Sequence, residues 1–250
     1  MKVYLAAIVY YSKLHGFTLN HANMHRLHYL FMGIRRIQGA RLGRTQRPPI
    51  TIPMLHSLRT FLATHCSPHD ARMLWAACTA AFFGLLRVSE YTSPTTSTVA
   101  QSTLCRRHLT FSDNYSQATI LLPLSKTDQF GRGASVRLFA LPSPLCPVSA
   151  LAHYSAVRTE QPGPLFIFSD GTFLTRGHIV GVLRSVFPMQ ADTNTHSFRI
   201  GGASALATAG VPEYLIQIGR WSSDSFLRYI SIPNQAIRTF QNKVITTEAS

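Results

Sequence analysis

His196-Ser197-Phe198-Arg199-Ile200-Gly201-Gly202-Ala203-Ser204-Ala205 is the stretch on which the reading of this chain turns. Its spacing predicts a helix over 195–209, and positions three apart on a helix share a face, so His196 and Arg199 point the same way. An imidazole and a guanidinium on one face is by itself a common surface pattern. The sequence that follows changes its weight. The small residues from Gly201 to Ala205 permit close packing of another helix, and Ala209-Gly210-Val211-Pro212 stops one helix and starts the next. Gly219-Arg220-Trp221-Ser222-Ser223 and Arg228-Tyr229-Ile230 then place an indole and a phenol on short helices expected over 212–219, 222–230 and 233–243.

Reading outward, Thr51 and Pro53 sit where a cap and first turn belong and predict a helix to about His65. Ser67-Pro68 repeats that signal for a longer helix through Trp75 to Leu86. Within its end, Phe83-Gly84-Leu85-Leu86-Arg87-Val88-Ser89-Glu90 carries an arginine followed three residues later by a carboxylate. From 104 to 141 the pattern shortens to β-like runs at 108–112, 118–124 and 135–141, read as a three-stranded antiparallel sheet with Lys126 in its second turn. Helices are expected again at 147–158 and 175–187, with a short edge strand at 166–168. Residues 1 to about 40 look helical throughout, and the apolar run from Tyr4 to Leu14 is read as a buried helix. The stretch Arg41 to Pro49, basic and closed by two prolines, is a linker. The expected class is α+β, mainly helical: a partial helical module with a basic linker over 1–47, and one larger domain over 48–250.

Composition narrows the partners. Lys and Arg total 24 against 10 Asp and Glu, a formal charge of +14, which is the footprint of a protein that binds a polyanion, most often nucleic acid. The four cysteines are scattered without a C-x-x-C pair, which argues against a disulfide framework or zinc ribbon and fits a reducing compartment. His21, His25 and His28 share a helical face, and His65-Cys66-Ser67-Pro68-His69 clusters three donors. The first lacks the acidic or cysteine company a metal site wants, the second is read in the same way, and no metal is expected. The N-terminal apolar run is too short to cross a bilayer, and no membrane association is expected.

The segment from His196 to Tyr229 resembles the C-terminal signature of tyrosine recombinases and phage-type integrases. Its wording, H-S-F-R-I-G, then G-R-W-S-S, then L-R-Y-I, is most similar to recombinases of eukaryotic mobile elements, the DIRS-like retrotransposons and Cryptons. The stretch 83–90 resembles the family's first arginine box, and Lys126 lies where the family keeps a catalytic lysine in a β-turn. The resemblance covers about residues 48–245 and implies a site of Arg87, Lys126, His196, Arg199, Trp221 and Tyr229, with Glu90 supporting Arg87. Arg220, nine residues before Tyr229, competes with Trp221 for one position, and Arg132 or Arg137 lie near enough to compete with Lys126. Such a site implies breakage and rejoining of double-stranded DNA through a 3′-phosphotyrosine with no metal or nucleotide cofactor, since two guanidiniums neutralise the phosphate. It also implies self-association as a dimer or tetramer on DNA, with 233–250 as the exchanged segment, and residence in the nucleus. A decayed copy that binds DNA without cutting it, and a type IB topoisomerase-like enzyme, are the rival readings.

Overall fold

The computed structural model describes residues 2–17, 21–41, 47–101, 103–123, 133–159, 162–190 and 192–211. The chain divides into two compact units, 1–46 and 47–250. The first holds α1 (Lys2–Leu14) and α2 (His21–Arg41). The helical expectation for this stretch is interrupted by a turn after Leu14, where Gly16 takes φ of 70°. The expectation of a buried α1 is not met: Tyr4 is 76% exposed, and Ile8, Tyr10, Tyr11 and Leu14 are exposed as well. An apolar helix needs neighbours on several sides, and the described part of this unit is two helices.

The second unit opens on Thr51, whose hydroxyl accepts from the Met54 amide and caps α3 (Ile52–His65). Ser67 does the same through Asp70 for α4 (Pro68–Phe83). This helix is the spine of the domain. Its alanines 76, 77, 80 and 81 are fully buried, and their small side chains let α3, α6 (Pro147–Ser155) and α8 (Thr195–Thr208) approach it from different sides. Between them in the chain come α5 (Val88–Tyr91), a 3-10 turn (Arg106–His108) and the sheet, then α7 (Arg176–Val186), which packs on α3 and α8.

The sheet is the expected three-stranded antiparallel one: β1 (Leu109–Phe111), β2 (Gln117–Leu122) and β3 (Ala134–Phe139) in the order β1-β2-β3. Ile120 of the central strand pairs with Leu109 on one side and Val136 on the other, and all three are buried. The period-2 pattern that turns Ala118, Ile120 and Leu122 inward leaves Thr119 and Leu121 facing outward. Residues 166–168 are not a strand of this sheet. Phe166 is buried and Ile167 makes an isolated bridge with Phe173, because the Tyr154 hydroxyl, from α6, takes the Ile167 amide at 3.0 Å. A second α6-end residue, Arg158, is buried with its guanidinium donating to the carbonyls of Leu165, Thr159 and Pro164. It locks this loop.

Two glycines set how close α8 comes to α4. A Cβ on Gly201 would overlap the carbonyl oxygen of Ile50, and one on Gly202 would overlap that of Phe82. Gly201→Ala should therefore destabilise the domain by about 1–3 kcal/mol through forced separation of these elements. Gly181, exposed on α7 with open space around it, is the internal control. There the same change should stabilise by about 1 kcal/mol from helix propensity. Urea unfolding of both variants checks the pair, and equal effects would disprove the close-approach argument.

Candidate active site

The first arginine is placed by the way α4 ends. The helix stops at Phe83 rather than at Leu86. Gly84 caps it with an ordinary helical φ, and Leu85 takes the left-handed conformation at φ of 48°. The Leu86 amide then donates to Ala81 and the Leu85 amide to Phe82, closing the turn as a Schellman motif with leucine where glycine is usual. A non-glycine residue there costs about 1 kcal/mol. Burial offsets it, because Leu85 is 2% exposed and packs with Ala203, Leu206, Ala207 and Val211.

Two residues on, Arg87 occupies the cap of α5 and Glu90 reaches back to it. The Glu90 carboxylate accepts from the Arg87 backbone amide at 2.7 Å and from its guanidinium at 2.9 Å. Glu90 is 4% exposed, so its charge is held by these partners rather than by water, and it fixes the guanidinium's direction. Arg87 lies at the start of a new helix rather than at the end of the long one.

The second arginine comes from α8. Asn194 caps this helix by accepting from the His196 amide, while the Ser197 hydroxyl accepts from the Asn194 amide. Arg199, one turn along, is 1% exposed and its guanidinium donates to the carbonyl of Leu85. The left-handed turn that redirects the chain toward Arg87 thus also supplies an acceptor for Arg199.

His196 lies half-buried beside them. Its pKa is lowered below the usual histidine value, first by burial and then by the positive fields of Arg47, Arg199 and Arg87. The structure therefore brings Arg87, Glu90, His196 and Arg199 to one place. Lys126, Arg220, Trp221 and Tyr229 lie outside the described residues, as do the helices expected over 212–219, 222–230 and 233–243. Arg47 entered the sequence reading only as a linker charge. The signal that could have found it is its position three residues before Ile50, whose buried amide donates to Ser197 next to His196 at 3.0 Å.

Among the described residues, three guanidiniums against one carboxylate suit this corner to an anion, and the depressed pKa of the imidazole favours its neutral, proton-accepting form. A histidine whose folded pKa is depressed binds its proton more readily in the unfolded chain. Its contribution to stability is complete above the unfolded value of about 6.5 and is lost as pH falls through the lower folded value. His196→Gln should flatten the stability profile in that window, measured by urea unfolding between pH 4 and 8. An unchanged profile would show that the imidazole is not held in its neutral form.

No protein-family model matches the sequence. No curated protein matches it either. Solved structures do. The site-specific recombinase XerH bound to a palindromic difH substrate in a post-cleavage complex superposes with a TM-score of 0.55 at 14% identity, covering 77% of this chain and 51% of that one. The Tn1549 transposon integrase with transposon right-end DNA gives 0.53 at 14% identity, covering 81% and 68%. A lambda integrase dimer on a core site gives 0.51 at 12%, covering 76% and 49%. The chain thus spans about half the length of the XerH and lambda integrase chains that it matches. Its mainly helical architecture with a three-stranded antiparallel sheet is the fold of a tyrosine recombinase catalytic domain.

Proposed function

We propose that this chain is a DNA strand transferase of the tyrosine recombinase type. The observation that carries the reading is the meeting of Arg87, Arg199 and His196 in this fold, with Glu90 aiming the first arginine. A phosphodiester resists attack because its own charge repels nucleophiles and its transition state gathers more charge on phosphorus. Arg87 and Arg199 are suited to donate paired hydrogen bonds to the non-bridging oxygens and to offset that charge as it grows. Trp221 adds its indole N–H to the same clamp, with Arg220 as the competing residue.

Tyr229 attacks phosphorus through its phenolic oxygen and the bond to the 5′ oxygen breaks. His196 takes up the phenol proton directly or through a relay, and Lys126 protonates the departing 5′ oxygen. The products are a 3′-phosphotyrosine and a 5′-hydroxyl. Attack by another 5′-hydroxyl reverses the step on a new strand, so the phosphoester linkage is retained and no nucleotide is consumed. Residues 233–250 are assigned to exchange between protomers, giving a dimer or tetramer on DNA. The likeness of the H-S-F-R and G-R-W motifs to the DIRS-like and Crypton recombinases supports a eukaryotic mobile element as the source and the nucleus as the place of action.

A nicked half-site DNA, from which the cleaved fragment diffuses away, tests the mechanism. Wild type should give a covalent protein–DNA band that survives EDTA, and Tyr229→Phe should give none. Arg199→Lys should slow band formation by about 10²–10³-fold, the usual cost of removing one donor aimed at transition-state charge. DNA binding without any band from wild type would favour the reading of a DNA-binding copy that has lost strand transfer. Relaxation of supercoiled plasmid without a preferred site would favour a topoisomerase. Affinity should also fall steeply between 50 and 200 mM salt as phosphate contacts release counterions.

A further inference from the structure

We propose that Arg47 is a third phosphate-binding guanidinium of this site, supplied by the segment that joins the two units. The proposal rests on the phosphodiester reading above and adds a residue that the motifs do not contain. Its placement follows from the anchoring of the chain just beyond it. Ile50 is 1% exposed, its amide donates to the Ser197 carbonyl at 3.0 Å, and its own carbonyl lies against the Cα of Gly201. Thr51 then caps α3, so the chain is fixed on both sides of Ile50.

Only Pro48 and Pro49 separate Arg47 from this anchor, and each ring restricts its own φ to near −65°. Three residues span at most about 11 Å, so the Arg47 backbone cannot stray far from the first turn of α8, where His196 sits. Consistent with that, the field of Arg47 at the imidazole is the largest of the three guanidinium effects there.

The three arginines are held differently. Arg87 has Glu90 and Arg199 has the Leu85 carbonyl, whereas among the described residues no carboxylate or carbonyl holds the exposed Arg47 guanidinium. Like charges gathered in one corner repel at short range, and a bound anion turns that repulsion into attraction. A basic linker kept only for solvation would have no reason to be pinned beside two further guanidiniums. The anion that such a gathering of guanidiniums around one imidazole would take is a phosphate of the DNA backbone, at or next to the bond that is cut.

The test uses the whole chain, with Arg47→Gln, Arg47→Lys and, as a control on the exposed outer side of α3, Arg59→Gln. Inorganic sulfate, whose charge is constant across neutral pH, is the first probe, followed through the His196 ring resonances. Arg47→Gln should weaken sulfate binding about tenfold, the worth of one charge-assisted hydrogen bond. Arg47→Lys should recover part of the loss, and Arg59→Gln should change nothing. The second arm measures covalent-band formation at saturating nicked DNA, where Arg47→Gln should be slowed about tenfold or more and Arg47→Lys less. Sulfate affinity unchanged by Arg47→Gln, no sulfate binding by wild type, or equal losses from Arg47 and Arg59 would each overturn the assignment. Should wild type form no covalent band while the sulfate results stand as expected, the strand-transfer reading fails and Arg47 keeps its place as an anion ligand.

Discussion

A guanidinium keeps its charge at any pH a protein meets, so burying one demands acceptors on the spot. Arg199 meets that demand through the Leu85 carbonyl, and much of the domain's geometry follows from it. The acceptor exists because α4 breaks at Phe83 and the next turn runs left-handed at Leu85. The donor arrives because Gly201 and Gly202 let α8 settle against the backbone of Ile50 and Phe82. The strained leucine is held down by Ala203 from the same helix. The turn that accepts from Arg199 leads within two residues to Arg87, so a single junction between α4 and α8 orients both arginines.

How far the sequence revealed this depends on which physical signal each part carried. Local signals were readable. Thr51, Ser67 and their following prolines marked helix starts, alternation marked three strands, and the three-residue spacings brought His196 with Arg199 and Arg87 with Glu90. What depended on tertiary contact was not. The expected helix to Leu86 ignored that Leu85 could leave the helical region, because leucine rarely takes positive φ unless burial compensates. The expected strand at 166–168 was diverted by the Tyr154 hydroxyl, a partner 13 residues away. Arg47 was invisible as a site residue because its neighbour is defined by the docking of Ile50 on Ser197, across most of the chain. In α1 the error ran the other way: apolar composition was taken for burial, although composition states only a preference.

The site also shows how charge is apportioned. Each cation is given a distinct constraint: a carboxylate for Arg87, a backbone carbonyl for Arg199, and a proline-stiffened approach for Arg47. Burial and these neighbours push the imidazole among them toward its uncharged form. A histidine that stayed protonated there would be a fourth cation and could not accept a proton. The same gathering of guanidiniums that would attract an anion therefore also favours the neutral imidazole. Arg158 is the useful contrast. It is buried too, but three backbone carbonyls take its guanidinium and make it a fastener.

The left-handed turn at Leu85 has a consequence for how the molecule matures. Its acceptor and the guanidinium that uses it lie 114 residues apart in the chain, so their contact closes one of the longest loops in the domain. Contacts of such separation form late, after most of the ordering entropy has been met by local helices and the hairpins. A nascent or partly folded chain would hold its α4 and α8 segments without the junction between them, and its arginines would be scattered charges in water. The two arginines would then be brought together in the same step that completes the core. A chain that has not finished folding is thereby kept from presenting half a site.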